Sequence, residues 1–169
     1  EGVEVALERT RRVTIRDGEP ALEFRHQDHA HRTFRQRDQI VLLHVLAREG
    51  PDGIARLRGM FAIALWDAAR RELLLVRDRF GVKPLYYVHS PDGTLHFASE
   101  IKALLEAGAV TPELDRSMLP DFLANHATSG TGTLFTGVRR LSPAHWRRWK
   151  HGRIEVRRYW DLEMPAPGG

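Results

Sequence analysis

Residues 60–66 read Met-Phe-Ala-Ile-Ala-Leu-Trp, apolar at every position. On a strand they divide into Met60, Ala62, Ala64 and Trp66 on one face and Phe61, Ile63 and Leu65 on the other. A strand with no polar face must be covered on both sides, which predicts an interior strand of a layered fold. Residues 73–76 are again wholly apolar, following a short polar turn at residues 68–71. Two buried strands joined by so short a turn predict a central hairpin. The chain then changes to Arg77-Asp78-Arg79-Phe80-Gly81-Val82-Lys83-Pro84. Dense charge beside a buried hairpin must be paired or lie at a mouth open to water.

Weaker patterns flank this centre. Residues 1–24 alternate loosely (Val3, Val5, Leu7; Val13, Ile15) around a turn at Asp17-Gly18-Glu19-Pro20, which predicts two strands. Residues 38–49 have helical spacing in Ile40, Leu43 and Ala47, stopped by Gly50 and Pro51. Residues 84–89 and 94–98 predict a strand pair around Ser90-Pro91-Asp92-Gly93. Ser99 is placed to cap a helix through Ala107, with Ile101, Leu104 and Leu105 inward and Gly108 at its end. A second short helix over residues 115–125 is capped by Asp115, and residues 125–133 form a Gly/Ser/Thr loop. Residues 145–150 and 153–160 predict an edge hairpin turning at His151-Gly152.

Composition narrows the chemistry. The 169 residues suit one domain with enough chain for a core, and no apolar run is long enough to span a bilayer. No signal-peptide pattern opens the sequence. The absence of cysteine excludes disulfides, thiolate zinc sites and a cysteine nucleophile within these residues, and it points to a cytoplasmic location. His26, Asp28, His29 and His31 sit on one polar stretch without a fixed geometry, so they are read as solvated linker and no metal site is assigned. The net charge of +4 raises nucleic acid as a partner. Residues 139–158 make the best case, with eight Lys/Arg against Glu155 alone, interleaved with Trp146 and Trp149. The plainer alternative is an edge hairpin whose arginines lie over tryptophan faces, and it is preferred.

Several of these segments occur together in one known family. Gly59-Met60-Phe61-Ala62, Trp66-Asp67 and the run from Arg77 to Tyr87 resemble the glutaminase domain of glutamine-hydrolysing asparagine synthases. Phe97-Ala98-Ser99-Glu100-Ile101-Lys102-Ala103-Leu104, Leu141-Ser142-Pro143-Ala144-His145 and Tyr159-Trp160 fall where that family places similar segments. The resemblance implies a class II glutamine amidotransferase domain with an N-terminal-nucleophile fold. The expected fold class is α+β, an αββα sandwich of mostly antiparallel sheets, incomplete at its N-terminal end. The expected division is a divergent segment at 1–32, the amidotransferase-like domain at 33–162 and a Pro/Gly tail at 163–169. Loss of front strands would uncover one face of the central hairpin, leaving an exposed apolar patch prone to self-association.

The resemblance also says what the chemistry would need. In that class the thiol of the first residue attacks the glutamine amide, and its own α-amine acts as the base. Backbone and amide donors hold the oxyanion. Family members open with Cys-Gly-Ile and follow with an Arg-bearing strand and an Asn-Gly-Glu segment. Here residues 1 and 2 are Glu and Gly, and Asn125 is the first asparagine. No catalytic residue is therefore assigned, and the polypeptide is expected to be inactive alone. Asp38 matches the family position that binds the glutamine ammonium group, within Arg37-Asp38-Gln39-Ile40-Val41-Leu42-Leu43, although its place also suits a helix N-cap. Arg77, Asp78, Arg79 and Lys83 are expected to form a structural charged loop that supports a pocket wall or a domain contact. ATP and Mg are expected only in the family's synthetase domain, with its Ser-Gly-Gly-x-Asp-Ser loop, and no cofactor is assigned to these residues. Three functions compete: part of an asparagine synthase serving asparagine biosynthesis, a non-catalytic module docking a synthetase-like domain or a second copy, and a nucleic-acid binder.

Overall fold

A computed structural model describes residues 3–7, 12–16, 19–23, 45–46, 48–150 and 152–162. Its centre is the hairpin of β4 (Ala62–Asp67) and β5 (Glu72–Arg77), paired antiparallel from Ala62↔Arg77 to Asp67↔Glu72. The ladder continues to β1 (Val3–Leu7) on one side of the hairpin, and to β9 (His145–Lys150) and β10 (Arg153–Arg158) on the other. Between β5 and β9 the chain leaves to build much of a second sheet. That sheet has the order β3-β2-β7-β6-β8, from β2 (Arg12–Arg16), β3 (Glu19–Glu23), β6 (Tyr86–His89), β7 (Leu95–Ala98) and β8 (Arg139–Arg140). Every described strand pair is antiparallel.

The two faces of the hairpin separate as their alternation predicts. Ala62, Ala64, Trp66, Leu73 and Leu75 face the second sheet and pack with Leu85, Leu95, Phe97, Leu141 and Trp149. Phe61, Ile63, Leu65, Leu74 and Val76 point the other way, beside Trp146 of the same sheet and beneath Leu46 and Ile54. Burial of each leucine, isoleucine or valine side chain among them contributes roughly 1.5–3 kcal/mol. The second sheet's outer face is covered by α1 (Ile101–Glu106), whose Leu104 packs on Val88, Ala98 and Val138. Helical chain thus lies outside two stacked sheets, the α+β sandwich expected from the sequence.

Several expectations need correction. The central hairpin has no bare face, because both of its sides lie within buried clusters. Met60 lies outside the strand and is largely exposed. Ser99 does not cap α1: the N-cap is Glu100, and no side chain there bonds to the helix end. Among the described residues of 1–24 three strands form, not the two expected. The missed one is β3, which carries Pro20 opposite Ile15, and proline is tolerated there because β3 is an edge. The second helix divides into a 3-10 turn (Arg116–Met118), capped by the Asp115 carboxylate accepting from the Ser117 N–H, and α2 (Leu119–Asn125). Gly50 and Pro51 do stop the preceding α-helix, but the chain continues as a 3-10 turn over Gly50–Arg56.

Candidate functional site

The charged segment after β5 is built on Asp78, which is 1% exposed. Its Oδ1 accepts from the backbone N–H of Phe80 (3.1 Å) and Val82 (3.0 Å). Its Oδ2 accepts from Lys83 (2.9 Å) and Phe61 (3.3 Å). One carboxylate therefore satisfies three amides of a tight loop that has no ladder to bond to, and the Phe61 amide just before β4. The Asp78 carbonyl also accepts from Gly81 and Ala144, and its own N–H donates to Phe61.

Arg77 does the complementary work for carbonyls. Its Nε donates to Lys83 O (2.9 Å), Nη1 to Leu141 O (2.7 Å) and Nη2 to Gly81 O (2.6 Å). Burial holds its pKa below the usual guanidinium range, with Arg140 adding to the effect and Tyr86 and Asp78 opposing it. Gly81 is required twice over. Its φ is +65°, and a Cβ there would stand 2.8 Å from Pro143 Cγ and 3.0 Å from Arg77 Cζ. The Tyr159 hydroxyl donates to Arg77 O at 2.7 Å, and the Tyr159 N–H donates to Ala144 O. Burial raises the Tyr159 pKa well above that of a free phenol, so the hydroxyl stays a donor.

The structure thus brings Arg77, Asp78, Arg79 and Lys83 into one loop and binds the first two to backbone instead of to opposite charges. Arg79 donates to Ala55 O at 2.8 Å and lies 5.3 Å over the Trp160 ring. Every nitrogen of the Arg77 guanidinium and both oxygens of the Asp78 carboxylate are thus engaged by backbone groups. Asp38 lies outside the described residues, as do His26, Asp28, His29 and His31. Among the described residues no cluster of three or more His, Asp or Glu could hold a metal. Sequence reasoning missed Tyr159 and Gly81 as supports of this loop. The Asp-x-x-Gly spacing of Asp78 and Gly81, a turn signature, is the signal that could have found the second.

The other basic region, residues 139–158, is largely consumed by internal contacts. Arg148 pairs with Glu155 and sits 5.6 Å over Trp146, and Arg157 pairs with Glu155 at 2.7 Å and lies 5.8 Å over the same ring. Lys150 pairs with Glu72 at 3.1 Å, and Arg158 with Asp161 at 2.9 Å. Arg147 turns inward and stacks 4.2 Å over Tyr87, with burial lowering its pKa. Arg140 closes the 128–131 loop by donating to the carbonyls of Thr128 and Gly130. This is the edge hairpin with arginines over tryptophan that the alternation predicts.

Two stacked antiparallel sheets with helical chain outside them form the layered arrangement of the N-terminal-nucleophile fold. The solved structure of glutamine phosphoribosylpyrophosphate amidotransferase from B. subtilis superposes with a TM-score of 0.51 at 16% identity, over 76% of this chain and 24% of that one, a likeness in fold. The family described as glutamine amidotransferase domain matches residues 21–160, and the chain belongs to it. Among curated proteins, asparagine synthetase [glutamine-hydrolyzing] 3 of Bacillus subtilis is 37% identical over 135 residues, 79% of this chain and 22% of the relative. Amidase chyE of Penicillium rubens is 38% identical over 126 residues, 74% of this chain and 18% of the relative. The chain thus spans about a fifth of the length of these relatives. Among the described residues no helix is long and apolar enough to cross a membrane.

Proposed function

We propose that these residues are the glutaminase-type domain of a glutamine-hydrolysing, asparagine synthetase-like protein, whose role in the whole assembly is to deliver ammonia to an acceptor such as aspartate. The reading is carried by the match over residues 21–160, supported by the identity with the Bacillus synthetase. Glutamine is the substrate that family membership points to, and Asp38 is the residue proposed to receive its ammonium group. ATP and Mg would serve the acceptor chemistry of the synthetase part and are not assigned to these residues.

The 169-residue polypeptide itself is proposed not to hydrolyse glutamine. Its sequence holds no cysteine, and the class relies on a thiol paired with its own free amine. Arg77 and Asp78, the buried charges of the described loop, are committed to backbone bonds and offer no replacement. Incubation of the purified polypeptide with glutamine, followed by ammonia release, tests this directly. No release above background is expected, and sustained hydrolysis scaling with protein concentration would overturn the proposal.

A further inference from the structure

Alternation sorts the β9–β10 hairpin into two faces of different chemistry. Arg148, Lys150, Glu155 and Arg157 share the outer face, where the ion pairs with Glu72 and Glu155 lie. Arg147 and Trp149 face the second sheet, with Val156 directly across from Arg147 and Ile154 across from Trp149. His145 and Arg158 complete this inner face, which therefore carries no acidic residue. It is also open at its flank. β10 and β8 are the edges of their sheets, and β8 is only two residues long. Ile154 and Val156 consequently remain 37% and 48% exposed although they point to the inter-sheet side.

Arg77, Asp78 and Arg147 are the buried Arg, Lys, Asp or Glu side chains among the described residues. Backbone groups answer the first two. Arg147, 9% exposed, has no such answer: its guanidinium lies 4.2 Å over the Tyr87 ring, and its Nε has no hydrogen-bond partner. Burial lowers its pKa, and Tyr87 alone opposes that, with no carboxylate contributing. Holding a cation out of water without a counter-charge is costly, so the position favours whatever anion can reach it. Register brings a second cation to the same place. Arg139 on β8 stands directly opposite Tyr87, on the same face of the second sheet and exposed at the rim.

We propose that Arg147, Tyr87 and Arg139, with Ile154 and Val156 beside them, form a binding site for a small monocarboxylate that has an apolar body. The carboxylate meets the planar Arg147 guanidinium, whose donors match its two oxygens, and Arg139 draws it in from the rim. The body of the ligand lies along Ile154 and Val156 and covers aliphatic surface now open to water. A single buried cation calls for a single negative charge, and the aliphatic flank disfavours a compact, fully hydrated anion such as free phosphate. No acidic side chain on this face of the hairpin could receive an ammonium group, so the ligand is a carboxylate without an α-amine. That sets it apart from glutamine, and the site stands independently of the function proposed above.

The test is calorimetric titration of the 169-residue polypeptide with octanoate, beside octanol as its neutral counterpart. Saturable octanoate binding is expected, tighter than octanol by on the order of tenfold or more. Arg147→Met, which keeps the bulk and removes the charge, should weaken octanoate by a similar factor. Arg153→Met makes the same change of net charge on the outer face and should bind as the parent does. Val156→Asp sets a carboxylate across from Arg147 at an exposed position. It should lose octanoate binding while keeping or raising the parent's thermal transition, and it decides the matter if Arg147→Met fails to fold. Three results would overturn the proposal: no saturable binding by the parent, octanol binding as tightly as octanoate, or full octanoate affinity in a folded Val156→Asp variant. Equal weakening by Arg147→Met and Arg153→Met would do the same, since it would reduce the effect to overall charge.

Discussion

The loop after β5 and the β9–β10 hairpin look alike in the sequence, since both are runs of arginine broken by aromatic residues. In the structure they are opposites. Arg77 and Asp78 are buried and spend their polar atoms on backbone carbonyls and amides. Arg148, Arg157 and Glu155 lie near solvent and spend theirs on one another and on the Trp146 face. The first arrangement fixes a chain path that has no secondary structure to hold it. The second shields an edge strand and neutralises local charge. Charge density alone therefore says little about role; the partner of each charge decides it.

The comparison breaks most visibly at Asp78. Asp78→Ala would leave four buried or part-buried amides without an acceptor, and a loss of about 3–5 kcal/mol is expected. Urea unfolding followed by tryptophan fluorescence measures it. A loss below about 1 kcal/mol would mean that water replaces the carboxylate and that the loop is not wired as described. Gly81→Ala comes next. It forces a Cβ into left-handed backbone and against Arg77 Cζ, for an expected cost of about 2–3 kcal/mol. The same substitution at Gly93, also at positive φ but with nothing within 4 Å, should cost only the backbone strain, about 1–2 kcal/mol. The difference between the two isolates the close approach to Pro143 and Arg77.

Much of the fold was legible because period-two alternation with no polar face has few solutions. Ala62, Ala64 and Trp66 went to one cluster, and Ile63 and Leu65 to the other, as the pattern requires. The edge hairpin was legible from the His151-Gly152 turn signal in the sequence and from Trp146 and Trp149, which an odd spacing sends to opposite faces. What escaped was set by tertiary context. Met60 belongs to the apolar run but falls before β4 begins, so periodicity overextended the strand. Pro20 argued against a strand that is admissible only because β3 is an edge, a fact no local window contains. The expectation of a bare hairpin face rests on missing front motifs, yet Leu46, within the segment of helical spacing, and Ile54, in the 3-10 turn after it, cover that face. At the site, the charged loop was found as a group, but its wiring was not, since backbone acceptors carry no sequence letter. The grouping of Phe80 with Trp160 depends on strand order across residues 77 to 160 and was likewise out of reach.

The smallest effect belongs to the hairpin, and it sharpens the contrast through pH. Chiefly the hydrogen bond from Arg148, with the Arg148 and Arg157 charges behind it, holds the Glu155 carboxyl below the ordinary glutamate range. A carboxylate whose folded pKa is depressed adds stability that is fully present above its unfolded value, about 4.3, and is lost as pH falls through the folded value. Glu155→Gln should therefore lower Tm slightly at pH 7 and not at all below that window, with the pH 7 difference shrinking in high salt. Asp78→Ala should keep most of its cost in high salt, because its lost bonds are buried away from the screening ions. Thermal melts of both variants at two salt concentrations make the comparison. If Glu155→Gln proved the more damaging and salt left it unchanged, the division between a backbone-wired loop and a solvent-facing charge network would fail.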